Sequence, residues 1–423
     1  MLQIPFIRDN KKLVVERLAI KNFDAASTVD AIILLDEQRR QVQKTLDDTL
    51  AQSNKLAKEI GQLFKTGQRD LAQKAREEST VLKQQGKVLD QKLNDLVKQL
   101  NDKLVDLPNI PHESVPPGKS EADNELVYEE GTIPDLSANA LPHWELATKY
   151  NIIDFDLGSK VTGAGFPFYL GKGARLQRAL INYFLDKAIE AGYTEYQPPL
   201  LINEDSGYGT GNLPDKEGQM YVVGEDKLFL IPTAEIPLTN IYRNVILKEK
   251  ELPIKNVAYS NCFRREAGSY GKEVRGLNRL HQFDKIEIVQ IAHPEKSYEI
   301  LEVMKDYVAG LLRELELPFR ILRLCGGDLS FTSALTFDFE VYSAAQKRWL
   351  EVSSVSNFEN FQSNRMKLRY RDANGKTQLA HTLNGSALAL PRIVAALLEN
   401  NQTEDKINIP VALQAYTGFN SID

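Results

Sequence analysis

The apolar residues between positions 28 and 104 recur at alternating steps of three and four, the spacing of one apolar stripe on an α-helix. The two halves of this stripe are formed by Val42, Leu46, Leu56, Ile60 and Leu63, and by Leu82, Leu89, Leu93, Leu96 and Leu100. Gly67 lies between them, and glycine is typical of the residue that follows a helix. The pattern predicts two long helices in an antiparallel hairpin. Its seam is expected to be thin, because Thr49, Ser53 and Gly86 occupy seam positions.

The helical pattern ends before a proline-rich stretch at residues 108–117, which reads as a linker. We therefore expect an N-terminal domain at residues 1–115 and a second domain at residues 116–423. Further helices are predicted at residues 172–191, 296–315 and 388–399, and strands at residues 228–231, 256–260, 285–291 and 336–341. These strands do not alternate regularly with helices, so an α+β domain with a largely antiparallel sheet is expected.

Composition narrows the class of protein. Hydrophobic residues make up 42% and charged residues 26% of the 423 residues, which excludes a fully disordered chain. The net charge of −6 argues against a general nucleic-acid coat protein. Residues 1–115 nevertheless carry 19 Lys and Arg against 17 Asp and Glu, whereas the remainder carries 33 against 41. On charge grounds the hairpin can be a polyanion-binding arm, but it can equally be a dimerisation coiled coil or a spacer.

The cysteines indicate a reducing compartment. Cys262 and Cys325 are far apart, and no paired Cys or His motif accompanies them, so neither a disulfide framework nor a zinc site is expected. The first residues contain early charges and no apolar core of a signal peptide, and no apolar run approaches 18 residues. We expect a cytoplasmic protein that does not enter a membrane.

The sequence between residues 261 and 287 has the composition of a nucleotide site, although phosphate-loop and dinucleotide fingerprints are absent. Arg264 and Arg265 precede a glycine-rich loop that contains Gly268, Gly271 and Gly276. A second strand follows, and its alternation predicts one face formed by Arg279, His281, Phe283, Lys285 and Glu287. An aromatic ring can stack on a base, arginine forks grip phosphate oxygens, and a carboxylate can bind a polar substrate.

Two later segments also contain candidate ligands. The sequence at residues 351–354, Glu-Val-Ser-Ser, follows a predicted strand at 348–350, and its oxygens suit Mg²⁺. Small residues at positions 382–389 precede a predicted helix that carries Arg392. Taken singly, each segment has a plain structural alternative: a surface strand end, an ordinary helix-surface arginine and, for His281, a hydrogen-bonded core histidine.

Together the segments resemble the three signature motifs of class II aminoacyl-tRNA synthetases. These are residues 192–199, residues 262–287 and the run that ends at Arg392. Within that class the chain resembles the bacterial-type seryl-tRNA synthetase family over essentially its whole length. The distinguishing segments are residues 109–116, 208–214, 233–235, 275–277, 281–283 and 382–389.

The resemblance implies an ATP-dependent ligase that forms seryl-adenylate and transfers serine to the 3′ end of tRNA(Ser), and commonly of tRNA(Sec). In it, Arg264 bridges the α-phosphate and the serine carboxylate, and Arg392 binds the γ-phosphate; these two are the candidate catalytic residues. The implied ATP site comprises Arg264, Arg265, Glu266, Leu280, Phe283, Glu351, Val352, Ser353, Ser354 and Arg392. Mg²⁺ is expected on Glu351 and Ser354, and no zinc is expected.

The implied serine site comprises Thr233, Ala234, Glu235, Arg264, Glu287, Asn384 and Ser386. The resemblance further implies a homodimer and a hairpin that binds tRNA. Arg265 and Val355 depart from the residues most frequent in the family. Two alternatives remain: a non-catalytic synthetase-like RNA-binding paralogue, and a class II ligase with a different amino acid or a carrier protein as its substrate.

Overall fold

The computed structural model describes residues 1–266 and 274–423. The chain forms two compact units. The first comprises Met1–Ala19 and Phe23–Pro108, and the second comprises Ile20–Asn22 and Asn109–Asp423.

The first unit is built around a long helical hairpin. Its helices are α1 (Ile4–Asp9), α2 (Lys11–Ile20), α3 (Ala26–Lys65) and α4 (Arg69–Val105). Helices α3 and α4 pack against each other along their length. Gly67 lies in the turn between them with a φ of +77°, a conformation that glycine adopts without a steric penalty. The predicted antiparallel hairpin is confirmed.

The seam of the hairpin changes along its length. At the end of the hairpin away from the turn, which we call its base, the seam buries Val42, Leu46, Leu96 and Leu100, as the spacing predicted. Towards the turn the buried positions are small residues: Thr49, Ser53, Ala72, Ser79 and Gly86. Because these side chains remove little apolar surface from water, the outer part of the hairpin gains less hydrophobic stabilisation than the base.

The second unit contains the remaining elements. Its helices are α5 (His143–Lys149), α6 (Phe155–Val161), α7 (Gly171–Glu190), α8 (Glu204–Thr210), α9 (Glu235–Asn240), α10 (Ser297–Glu314), α11 (Phe361–Met366), α12 (Leu390–Asn400) and α13 (Val411–Thr417). Its strands are β1 (Glu125–Glu130), β2 (Ile153–Asp154), β3 (Phe168–Tyr169), β4 (Thr194–Tyr196), β5 (Leu201–Ile202), β6 (Val222–Val223), β7 (Leu228–Leu230), β8 (Ile246–Lys248), β9 (Ile254–Phe263), β10 (Gln282–Ala292), β11 (Phe319–Arg323), β12 (Leu335–Ser343), β13 (Arg348–Asn357), β14 (Arg369–Arg371), β15 (Thr377–Leu379), β16 (His381–Ala389), β17 (Ile407–Asn408) and β18 (Ser421–Ile422).

An eight-stranded sheet forms the centre of this unit, in the order β1-β11-β12-β13-β16-β10-β9-β4. All neighbouring strands are antiparallel except β4 and β9, which are parallel. Helices α7, α10 and α12 pack against the sheet and share its main apolar core. This arrangement confirms the α+β class with a largely antiparallel sheet.

Several predicted boundaries were wrong in instructive ways. Residues 351–354 do not lie at a strand end, because β13 continues to Asn357 and pairs with both β12 and β16. Residues 382–387 belong to β16, so α12 begins at Leu390 rather than at residue 388. Strand β10 begins at Gln282, and Arg279 and His281 therefore precede it. Within the part of the chain that is described, no helix is long and apolar enough to cross a membrane.

The two faces of β10 pack into two different apolar clusters. Ile286 and Ile288 belong to the main core, whereas Val289 and Ile291 belong to a second apolar cluster on the opposite face. Because side chains alternate along a strand, residues 283, 285 and 287 share the face of Val289. The candidate site lies on that face.

Candidate active site

A β-bulge places the polar residues of β16 beside those of β10. Lys285 is paired with Ala389 but Glu287 is paired with Ser386, so β16 contains one extra residue between them. Further along, Val289 is paired with Asn384. Directly paired residues share a face, and the bulge therefore puts Ser386 and Asn384 on the face of Glu287.

Glu287 is the centre of a buried polar cluster. Its carboxylate forms an ion pair with Lys285, and both side chains are at most 9% exposed. The Thr233 hydroxyl donates to Glu287 Oε2 at 3.1 Å. The same hydroxyl oxygen accepts from the Glu235 backbone N–H at 3.2 Å, which ties the start of α9 to β10.

Glu235 is a second buried carboxyl group in this cluster. It is held by amides: Gln362 Nε2 donates to Glu235 Oε1 at 2.6 Å, and the Asn384 side chain also hydrogen-bonds to it. Burial, followed by the negative charge of Glu287, raises the pKa of Glu235 to about 7. A cation that enters the pocket would stabilise the ionised form of this carboxyl group, because it offsets both the burial and the negative charge of Glu287.

An arginine and an aromatic ring flank this cluster at the start of β10. The Arg264 guanidinium lies over the Phe283 ring, with 5.4 Å from Cζ to the ring centroid. The Arg264 backbone N–H donates to the His281 carbonyl oxygen at 3.0 Å, which holds the backbone of Arg264 next to the start of β10. Phe283 is two residues from Lys285, about 7 Å along the strand. The ring and the polar cluster therefore occupy successive positions of one face.

The other predicted residues of this segment have defined partners. Glu266 has a φ of +48° and forms an ion pair with Arg279. Arg265 is exposed, and its backbone N–H donates to the Gln219 carbonyl oxygen at 2.8 Å. The ring of His281 stacks on Phe166 and its Nδ1 lies 2.9 Å from the Tyr221 hydroxyl, so it is a hydrogen-bonded structural histidine. Gly268 and Gly271 lie outside the described residues.

A second β-bulge aligns Glu351 with Ser354. Glu340 is paired with Glu351 and Asp338 with Ser354, so β13 has one more residue than β12 over this interval. In a regular strand, residues three apart point to opposite faces. Here they share a face with Asp338, whose Oδ1 accepts a hydrogen bond from the Ser354 hydroxyl at 2.6 Å.

These oxygens fit a hard divalent cation. The Ser354 hydroxyl donates its proton to Asp338, so the lone pairs of its oxygen are free to coordinate, and the Glu351 carboxylate is exposed beside it. Burial, followed by the charge of Glu351, raises the pKa of Asp338. Within residues 1–266 and 274–423, no group of three or more His, Cys, Asp and Glu residues has the arrangement of a protein-only metal site. Glu351 and Ser354 are the residues that would hold such a cation.

Arg392 links α12 to the edge of this site. Its Nη1 donates to the Glu351 carbonyl oxygen at 2.6 Å, and its Nε donates to the Asn278 carbonyl oxygen at 2.9 Å. The guanidinium is 3.7 Å from Glu351 Oε2. Arg392 thus lies between the β13 strand and the segment that leads into β10.

The remaining predicted residues are mostly buried supports. Ala234, Leu280 and Val352 are at most 4% exposed. The Ser353 hydroxyl donates to the Ser386 carbonyl oxygen at 2.5 Å, which joins β13 to β16. Leu280 and Val352 belong to the main apolar core, and Ala234 belongs to the second apolar cluster.

Sequence reasoning did not assign roles to Lys285, Gln362 and Asp338. Alternation with Phe283 and Glu287 had placed Lys285 on the site face, and this was the signal available for it. Gln362 and Asp338 carried no such signal, because their contacts join segments 127 and 16 residues apart in the sequence.

The central sheet carries Phe283 and Glu287 on β10 and the carboxylates of Asp338 and Glu351 on β12 and β13, and Arg264 directly follows β9. This architecture is that of a class II aminoacyl-tRNA synthetase. The family model of the class II tRNA synthetase core domain (G, H, P, S and T) matches residues 221–401. The model of the seryl-tRNA synthetase N-terminal domain matches residues 1–111.

Individual relatives narrow this class to one family. A serine–tRNA ligase of Salinibacter ruber is 48% identical over 99% of this chain and 98% of its own length. One from Chlorobaculum parvum is 44% identical over the full length of both chains. The crystal structure of seryl-tRNA synthetase from Pyrococcus horikoshii complexed with ATP superposes with a TM-score of 0.93 at 35% identity, over 100% of this chain and 99% of that one. The chain belongs to the seryl-tRNA synthetase family, the ATP-dependent serine–tRNA ligases.

Proposed function

We propose that the site on β10, β13 and β16 activates L-serine with ATP and then transfers it to the 3′ end of tRNA(Ser). The observation that carries the assignment to an amino acid is Glu235, a buried carboxyl group held by amides next to a second carboxylate. The ammonium group of an amino acid is a cation of the right size to enter such a pocket.

In this proposal serine binds between α9, β10 and β16. Its ammonium group lies against Glu235 and Thr233, and its hydroxyl group against Glu287, Asn384 and Ser386. Buried partners that pair with a hydroxyl group would be left unpaired by alanine, and a site of that kind can reject such an analogue by about 10⁴–10⁵-fold. Threonine has the hydroxyl group, so its rejection must rest on steric exclusion.

ATP is proposed to bind along Phe283, Arg264 and Arg392. The adenine ring stacks on Phe283, with Glu266 at its amino group. Arg264 contacts the α-phosphate and the serine carboxylate, and Arg392 holds the γ-phosphate. Binding of ATP, though not its placement on these residues, is supported by the ATP named for the Pyrococcus horikoshii relative.

Mg²⁺ is proposed on Glu351 and Ser354, whose hard oxygen atoms suit it. When bound, it would neutralise phosphate charge. Asp338 would hold the hydroxyl proton of Ser354 away from the cation. Arg265 is proposed to lie at the phosphate end of the site, with Leu280, Val352 and Ser353 forming walls.

The chemistry requires no general base in the first step. The serine carboxylate is already ionised at neutral pH, and it attacks the α-phosphate in line while pyrophosphate leaves. Catalysis then consists of positioning and of neutralising phosphate charge, which Arg264 and Arg392 can supply. In the second step a ribose hydroxyl at the 3′ end of the tRNA attacks the acyl carbon, and AMP leaves.

We propose that the hairpin of α3 and α4, within residues 1–115, binds the tRNA. Its charges are mixed, which is compatible with recognition of RNA shape through phosphate and 2′-hydroxyl contacts. Transfer of serine to tRNA(Sec) is a finer proposal of the same kind. The free cysteines are compatible with the cytoplasmic location that we propose.

A homodimer is also part of the proposal. Tyr196, Leu200, Leu201 and Val222 are all more than a third exposed, and they lie on or next to the short strands that follow α7. Light scattering should then give about twice the chain mass of 47.7 kDa. Leu201→Asp should shift the mass to that of a single chain, and an unchanged mass would refute this interface.

The central test is serine-dependent exchange of pyrophosphate into ATP, measured with all twenty amino acids. Exchange with serine alone is expected, and its absence would refute the proposal. Exchange with a different amino acid would favour another class II specificity, and no exchange at all would favour the RNA-binding paralogue. Deletion of residues 30–104 should preserve exchange and abolish charging of tRNA(Ser). Retained charging would refute the role of the hairpin.

A further inference from the structure

A chain of buried hydrogen bonds connects the C-terminal half of α12 to the segment that leads into β10. The His143 and Glu399 side chains are 0% exposed, and His143 Nδ1 lies 2.7 Å from Glu399 Oε1. On the other side of the ring, the Leu277 backbone N–H donates to His143 Nε2 at 2.8 Å. None of these groups belongs to the site proposed above.

The hydrogen bonds determine the tautomer of His143. A backbone N–H can only donate, so Nε2 must be an acceptor without a proton. The ring proton then resides on Nδ1, which donates to the Glu399 carboxylate. The imidazole is neutral, and its two hydrogen bonds connect the Glu399 carboxylate to the backbone of Leu277.

Glu399 is retained in its position by several donors. The His143 backbone N–H donates to it at 2.9 Å, Gln346 Nε2 donates to it at 2.9 Å, and the Ser343 hydroxyl donates to its second oxygen. Burial alone would raise the pKa of Glu399, but the hydrogen bonds from the His143 side chain, the Ser343 hydroxyl and the His143 backbone N–H outweigh burial and hold this pKa below its ordinary value. A carboxylate in the last turn of a helix also opposes the helix dipole, so these contacts and not the helix account for it.

Helix α12 also holds Asn278, the residue that follows Leu277. Arg392, in the first turn of α12, donates to the Asn278 carbonyl oxygen at 2.9 Å. The Asn278 side chain donates to Gln346 Oε1 at 3.0 Å, and Gln346 in turn donates to Glu399. Residues 277 and 278 are therefore clamped from both ends of α12.

The glycine before this clamp fits it closely. Gly276 has a φ of +69°, and a Cβ atom built on it would collide with the His143 ring. Only a residue without a side chain lets the backbone approach the imidazole in this way. The clamp thus fixes the chain immediately before Leu280 and Phe283.

We propose that His143 is a positioning residue for ATP binding. It fixes the Leu277 backbone against α12, and so sets the spacing between Phe283 and Arg392, the two side chains assigned to opposite ends of the nucleotide. This inference rests on the function proposed above. His143 is fully buried and does not touch the substrate, so it acts only through the segment that it holds.

Two amide substitutions separate the two hydrogen bonds of the ring. In His143→Gln the amide oxygen can reach the position of Nε2 and accept from Leu277. In His143→Asn the shorter amide can still donate to Glu399, but it leaves the Leu277 N–H without an acceptor. An unpaired buried N–H is expected to raise the KM for ATP on the order of tenfold in His143→Asn.

The measurement is pyrophosphate exchange with each substrate varied in turn. We expect His143→Asn to raise the KM for ATP while the KM for serine changes less than about twofold, and His143→Gln to restore most of the ATP affinity. Equal effects on both substrates, or equal behaviour of the two variants, would overturn the inference. If the wild-type enzyme shows no serine-dependent exchange, it is the proposed function that fails.

Two further measurements cover variants that do not fold. Gln346→Ala removes the partly buried link between Asn278 and Glu399, and it should also raise the KM for ATP selectively. Nitrogen-15 NMR of the intact enzyme should show one histidine, absent from the His143→Gln spectrum, with a protonated Nδ1 and an unprotonated Nε2. The opposite tautomer, or an imidazolium, would contradict the clamp, as would an unchanged KM in Gln346→Ala.

Discussion

Glu351 and Ser354 lie on the same face of the central sheet although an odd number of positions separates them, because a bulge in β13 inserts one residue between their partners Glu340 and Asp338. The bulge places a carboxylate beside a hydroxyl whose proton is held by Asp338. Without it, one of the two proposed Mg²⁺ ligands would point into the main core.

Glu351→Gln should increase the Mg²⁺ concentration needed for half-maximal pyrophosphate exchange by about tenfold or more, because an amide lacks the charge that a divalent cation requires. Mg²⁺ titration at saturating serine and ATP measures the effect. Glu340→Gln is the matched control, because the Glu340 carboxylate is already neutralised by an ion pair with Arg320 on β11. A similar Mg²⁺ requirement in the two variants would contradict the assignment.

Serine binding should release a proton below about pH 7. Burial and then Glu287 raise the pKa of Glu235 to about 7, and a bound ammonium group would lower it again. Serine affinity should therefore rise with pH up to about 7 and then level off. Calorimetry at pH 6 in two buffers of different ionisation enthalpy counts the released protons, and Glu235→Gln should release none.

The same pKa affects stability in a defined direction. The pKa of Glu235 is raised above its ordinary value of 4.5, so the contribution of its protonated form to the stability of the fold is fully present below pH 4.5 and is lost as the pH rises through about 7. Glu235→Gln should consequently gain stability relative to wild type between pH 5 and pH 8. Urea unfolding at both pH values measures the difference, and a constant difference would contradict the raised pKa.

Glu287→Ala should both destabilise the protein and abolish serine use. Removing one partner of a buried ion pair leaves Lys285 uncompensated, which typically costs about 3–5 kcal/mol. The double variant Lys285→Met, Glu287→Met should recover most of the stability but none of the exchange activity. Denaturant unfolding of Glu287→Ala measures the loss of stability, and binding of serine and of ATP to the same variant measures the loss of substrate recognition. An equal loss of serine and ATP binding would refute the role of Glu287.

Binding of tRNA should depend only moderately on salt. The positive charges of residues 1–115 are almost balanced by negative ones, so we expect contacts to only a few phosphates and a slope of log K against log salt of about −2 to −4. Filter binding between 50 and 300 mM salt, as a rough range, measures the slope. A much steeper slope would mean that charge, and not shape, dominates recognition.

Periodicity alone determined the hairpin of α3 and α4. The seam residues of a helix recur every three or four positions, so Val42, Leu46, Thr49 and Ser53 could be read from their spacing. Ala72 and Ser79, which are also buried at the seam, were not predicted. Alternation likewise placed Phe283, Lys285 and Glu287 on one face, because the geometry of a strand is local.

The resemblance to the family named the candidate ligands, but their alignment depends on the tertiary structure. The bulges in β13 and β16 reverse the alternation that the sequence predicts, and they are visible only in the register between paired strands. The clamp of His143 and Glu399 joins residues 256 positions apart. Such contacts have no local period, and only the packing of α12 against the segment before β10 brings them together.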